Sequence, residues 1–335
     1  MTVQLPGTTS SSEGQLASEP TTKISKLPNG VRVASETSHG LGASIAVFVQ
    51  YGSVNETAET SGATHFLQHL AFKATEKRSH FMLTREVEKL GAHVAAGASR
   101  DCITYAGECL SPNAEALFSI IAETVLYPRI EELDVSIAAK LVSQDVGNSA
   151  KNGGARVLDA LHEAAFHGQG LGAPLLSSRE HIEPATVQKF LSANLAPSRI
   201  VVAAVGVEHA RLEAMVSAAF GHLSGTAPAL PASKYLGGDY RIPAHLDKGE
   251  IHFAIGFQGV GVTDKDLLAA AALQSLLGGG DSFSAGGPGK GLTSRIFTNV
   301  LCDAVWALAS KIRHYAAPAC SLAISRSAPC ARADS

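Results

Sequence analysis

One arrangement occurs twice in the chain and limits its architecture more than any other feature. An apolar strand pattern, ASIAVFVQYGS (residues 43–53), is followed by a helical segment, ATHFLQHLAF (63–72). Later, EIHFAIGFQGV (250–260) is followed by DKDLLAAAALQSLLGGG (264–280). A strand that feeds a helix, repeated at a distance, predicts an internal duplication. The expected fold is α+β: two related units, each an antiparallel sheet packed with helices, the second cut short.

The segments around this repeat set the expected organisation. Residues 1–22 are rich in Ser, Thr, Gly and Pro and read as a flexible tail. They contain Glu13 and Glu19 and no arginine, unlike a mitochondrial transit peptide. From Ser25 the pattern becomes ordered, with an Asn29–Gly30 turn, alternating Val31 and Val33, and then the strand from Ala43: two strands in succession, an antiparallel start. ETSGAT supplies Ser and Thr as caps for a helix expected to run to about residue 74. MLTREVEKLG reads as a short helix closed by Gly91, and AHVAAGASRDCITYAGECL as a hairpin shaped by Arg100 and Asp101. Helical patterns then dominate to the strand SRIVVAAVGV and a last helix, so a first unit spans 23–224. Residues 225–244 have the Pro, Gly and Ala content of a linker, 245–300 form the partial second unit, and 301–335 are expected as a divergent tail without a matching pattern.

Charge excludes some functions. A net charge of -3 with both signs interspersed offers no basic stripe, so no nucleic-acid partner is expected. No apolar run reaches the length of a membrane span. Cys102, Cys109, Cys302, Cys320 and Cys330 lack CxxC spacing, which argues against both a disulfide framework and a cysteine metal site.

The residues with the most chemical meaning are His65 and His69 in HFLQHLAF. At i and i+4 they face the same side of a helix and can share a metal ion. With 13 histidines in 335 positions, chance alone supplies ~0.5 such pairs, so the spacing decides nothing by itself. His162 and Glu163 are weaker candidates, because His167 lies at i+5 from His162, on the wrong face; core or surface positions are expected.

Taken together, HFLQHLAF, TREVEKLGAHV and ASRDCITYAGECL resemble the pitrilysin-type peptidases, or inverted zincins, whose motif is His-x-x-Glu-His with a distant glutamate as third zinc ligand. Within them the chain is similar to the group formed by the mitochondrial processing peptidase subunits and the core proteins of ubiquinol-cytochrome c reductase. LPNGVRVAS, YPRI, LHEAAF and AAVGVEH fall in that group's order over about residues 24–301. The resemblance implies zinc ligands at His65 and His69, a third ligand at Asp145, and the catalytic base at position 68. That position holds Gln68, which has no proton to exchange near neutral pH. Asp145 is one methylene shorter than glutamate, about 1.5 Å of reach, which is expected to leave it short of the metal. Zinc is therefore implied only at a degenerate site, or in a partner.

GGGDSFSAGGPGKGLTSRIF (278–297) resembles the glycine-rich loop of the alpha-type subunits in this group. Gly278, Gly279, Gly280, Gly286, Gly287, Gly289 and Gly291 free the backbone to expose its amides, Phe283 adds an apolar contact, and Lys290 lies among them, as suits a lid over an extended peptide. GGPGKG is not a phosphate-binding loop, since Gly291 rather than Ser or Thr follows Lys290. The resemblance implies a non-catalytic subunit in the mitochondrial matrix or on the matrix side of the inner membrane. It would bind presequence peptides for a catalytic beta subunit. The alternatives it leaves open are a structural core subunit among the subunits of complex III and an independent zinc endopeptidase.

Overall fold

Strand β3 (Gly42–Val49) sets the frame. Its alternation places Ala43, Ile45, Val47 and Val49 in the core and Ser44, Ala46 and Phe48 on the opposite face. The computed structural model describes residues 21–37, 40–229, 233–242, 250–261, 264–277, 295, 307–313 and 321–329.

Around β3 lie β1 (Thr22–Lys26), β2 (Arg32–Glu36), β4 (His93–Ala98), β5 (Ile103–Leu110) and β6 (Ile200–Val205), in the spatial order β1-β2-β6-β3-β5-β4. All neighbours are antiparallel except β2 and β6, which run parallel from Arg32↔Val201 to Glu36↔Val205. Strands β2 and β3 therefore oppose one another in direction without being neighbours, because β6, far along the chain, inserts between them.

The helices of the first unit are α1 (Ala63–Leu70), α2 (His80–Lys89), α3 (Ala114–Leu126), α4 (Glu132–Lys151), α5 (Gly153–Phe166), α6 (Pro184–Asn194) and α7 (His209–Phe220). Leu117, Phe118, Ile120 and Ile121 of α3 and Leu212, Val216 and Phe220 of α7 cover the buried face of the sheet. Each such side chain removed from water contributes about 1.5–3 kcal/mol before chain entropy is set against it. The helix from residue 63 stops at Leu70, short of the expected end near 74, and Phe72 follows with a left-handed backbone.

A second sheet has the order β7-β9-β8 and is antiparallel throughout: β7 (Glu250–Gln258), β8 (Ala307–Arg313) and β9 (Ser321–Pro329). Helix α5 packs on β7 and β9, and α8 (Leu267–Leu277) on β8. Two expectations change here. Parts of the supposed divergent tail form β8 and β9, which pair with each other, and β9 also pairs with the distant β7. Part of the supposed linker is fastened down: Leu236 donates its amide to Ala165 at 2.8 Å, and the Tyr235 hydroxyl donates to the Gly256 carbonyl at 3.1 Å. Among the described residues no helix is long and apolar enough to cross a membrane.

The turn after β3 fits tightly against the β4–β5 hairpin. A Cβ on Gly52 would lie 2.3 Å from the Arg100 carbonyl oxygen, whereas one on Gly97 would meet open space. Gly52→Ala is expected to cost about 1–3 kcal/mol in urea denaturation, from overpacking against backbone, with Gly97→Ala much less affected. Equal stability of the two variants would contradict this packing.

Candidate metal centre

Helix α1 is too short to persist by itself, and neighbouring segments hold it at both ends. The expected Ser or Thr cap is not used. Its N-cap is Gly62, in the left-handed region at φ 89°, with no side-chain cap of its own. Glu56 takes over that function from outside the helix, accepting from the Gly62 amide at 2.7 Å and the Thr64 amide at 2.8 Å. Burial pushes the Glu56 carboxyl above the ordinary carboxylate range, against the two amides and Arg179, which pull it down. The Arg179 guanidinium fastens the same turn by donating to the carbonyls of Ala58 and Glu59.

So placed, α1 packs against α4 and presents both histidines to it. The Nε2 atoms of His65 and His69 lie 3.3 and 2.8 Å from the same oxygen, Oδ2 of Asp145. His65 is buried, His69 nearly so, and Asp145 half-exposed. The expected shortfall in reach of the aspartate does not occur, because α4 approaches closely enough for its shorter side chain to touch both rings. The donor atoms of the three residues all lie within 4.8 Å of one another. Tetrahedral zinc, with bonds near 2.0–2.1 Å, sets its ligand atoms roughly 3.3 Å apart, so the three donors fit that ion in type and spacing.

The surroundings fit it less well. The Nδ1 of His65 accepts the Ser177 amide at 3.1 Å, which leaves Nε2 to carry the ring proton in the neutral state. Burial holds His65 below the ordinary imidazole range and favours that neutral ring. A metal-ligating histidine has the opposite polarity, donating its second N–H outward so that the ligating nitrogen offers a lone pair. As it stands, both rings can donate to one carboxylate oxygen, and the trio closes on itself.

Gln68 sits on the same helix, and its Oε1 accepts the Ala98 amide of β4 at 3.2 Å. The position that would carry a base instead holds an amide tied to a strand. The i, i+4 pattern located His65 and His69 and the resemblance added Gln68 and Asp145; the structure brings His65, His69 and Asp145 together, with Gln68 on the same helix as the histidines. Glu56 and Ser177 escaped it; Ser177 meets His65 across 112 residues of chain and carries no local signal. Gly278, Gly279, Gly280, Phe283, Gly286, Gly287, Gly289, Lys290 and Gly291 lie outside the described residues. His162 is buried, with its Nδ1 2.7 Å from the Leu158 carbonyl within its own helix, as a structural histidine would be. Arg100 does more than shape its hairpin, since it is buried and donates to Asp159 of α5 at 2.6 Å.

A sheet-and-helix unit that carries two helical histidines to a carboxylate on a later, longer helix defines a metallopeptidase fold, here with an amide where its base would be. Family models agree in two consecutive stretches: residues 32–179 match Insulinase (Peptidase family M16), and 181–311 match the Peptidase M16 inactive domain. The chain belongs to peptidase family M16. Among curated relatives, it is 36% identical over 284 residues to the probable mitochondrial-processing peptidase subunit alpha-1 of Arabidopsis thaliana, covering 83% of this chain and 56% of that protein. Identity to the mitochondrial-processing peptidase subunit alpha of Bos taurus is 30% over 312 residues, covering 85% and 58% respectively. A probable subunit beta from Arabidopsis thaliana is 30% identical over 309 residues, covering 88% and 58%. The chain thus spans a little over half the length of these relatives.

Two tests follow from the geometry. Because the Glu56 carboxyl titrates higher in the folded protein than in an unfolded chain, the folded state holds the extra proton between the two values. Its contribution to stability is greatest below that window and declines as pH rises through it. The stability difference between wild type and Glu56→Gln should therefore move toward the variant as pH rises from the ordinary carboxylate range; a flat difference, or the reverse trend in denaturation curves, would contradict it. Zinc affinity by calorimetry should be about 10–100-fold below that of a site with correctly polarised partners, and absent in Asp145→Ala. Tight binding that survives Asp145→Ala would show that the ion sits elsewhere.

Proposed function

We propose that the chain acts as the non-catalytic, alpha-type subunit of a mitochondrial processing peptidase, binding presequences of imported precursors for cleavage by a beta subunit on the matrix side of the inner membrane. The observation that carries this reading is Gln68. Hydrolysis at such a site needs a group that takes a proton from water, a contribution of about 10²–10⁴ in rate, and glutamine cannot accept one. Its oxygen is already occupied by the Ala98 amide. If zinc is bound, His65, His69 and Asp145 would hold it, and it would supply Lewis-acid polarisation. Among the described residues, position 68 then offers no group to remove the proton from water.

Binding has structural support. Strand β4, whose last residue anchors Gln68, is one of the two edge strands of its sheet, so its outer backbone can take up an extended peptide. The sheet face opposite the core carries small or half-exposed side chains, including Ala34, Ala46, Phe48, Ala106 and Ala203. The names of the relatives, which distinguish alpha from beta subunits, support a heterodimer and a mitochondrial location. Presequences are basic and amphipathic, so the shared cavity is expected to be acidic. Neither a complex III core role nor independent peptidase activity draws support from this geometry.

Reconstitution tests the reading. The chain and a beta subunit with an intact His-x-x-Glu-His are each expected to leave a presequence-bearing precursor uncut, and together to process it. Removing residues 278–291 should weaken presequence affinity without dissociating the pair. Full processing by the beta subunit alone, with no gain from this chain, would overturn the proposal.

A further inference from the structure

Helix α5, strand β7 and residues 238–242 enclose a cleft of about 440 Å³, remote in sequence from the histidine pair and within the size range of small-molecule sites. Its walls are mainly apolar, with Val157, Leu161, Ile242 and Phe253 among them. Three basic side chains, Arg156, Arg241 and His252, also line it, against one acid, Asp239. Among the described residues neither Arg156 nor Arg241 makes an ion pair, although the neighbouring Arg100 has Asp159. A guanidinium beside apolar walls gains most from an anion that arrives with its own apolar body.

The walls are fixed in advance. Gly153 lets the His252 ring rest on α5, since a Cβ there would lie 2.2 Å from it. The third wall is fastened by Leu236 to Ala165 and by the His167 ring, whose Nε2 is 2.9 Å from the Gly237 carbonyl. We propose that this cleft binds a small amphipathic carboxylate, with its carboxylate between Arg156 and Arg241 and its apolar body against Val157, Leu161, Ile242 and Phe253. The site is separate from the proposed presequence function and does not depend on it.

Calorimetric titration of the full chain with dodecanoate, below its micellar range, is expected to show saturable one-to-one binding. Acetate, the headgroup alone, and dodecyltrimethylammonium, the same tail with opposite charge, should show none. Replacing both arginines (Arg156→Gln, Arg241→Gln) should weaken dodecanoate binding at least about tenfold with an unchanged thermal melt. Ala164→Trp, which fills the cleft without touching its charges, should weaken it as well. No saturable binding, equal uptake of the cationic amphiphile, or affinity unchanged by both sets of substitutions would overturn the proposal.

Discussion

The contact between Asp145 and the two imidazoles of α1 is the interaction on which the rest of the site depends. An eight-residue helix entered through a left-handed glycine has little stability of its own. Glu56 holds its first turn, Ser177 fixes the His65 ring, and Asp145 ties the exposed side of both rings to α4. Each attachment comes from a different part of the chain, so the histidine pair has its geometry only once the sheet has assembled and brought α4 and the 177–179 segment alongside.

Ligation and hydrolysis make separate demands, and the site satisfies them unequally. Three donors of suitable type lie within 4.8 Å of one another, which meets part of the first demand. The second requires a basic oxygen beside them, and there the chain presents a neutral amide bonded to β4. A glutamate at position 68 in this pose would face the same Ala98 amide, a hydrogen bond that favours its ionised form. The scaffold is therefore compatible with a base at position 68.

Much of this was legible in the sequence where the signal is local. The i, i+4 spacing of His65 and His69, the apolar strand β3, the β4–β5 hairpin, the turn at Gly30 and the helix end at Gly91 all appear as read. Asp145 was placed only by resemblance, because no local pattern marks an aspartate midway along α4. Pairings across long separations were not legible: the insertion of β6 between β2 and β3, and the union of β7 with β8 and β9, depend on partners far away in the chain. The cap was misassigned for a similar reason. Ser61 and Thr60 are close to the helix start, but Glu56 reaches its amides from farther back, and composition cannot register that geometry.

The most direct measurement is turnover of a fluorogenic presequence peptide by the purified chain alone, supplied with zinc, compared with its Gln68→Glu variant. No cleavage above the buffer rate is predicted for the natural sequence, with any gain confined to the variant. Chelator-sensitive cleavage by the natural sequence, lost when His65 or His69 is replaced, would contradict the proposal of a binding subunit without a base.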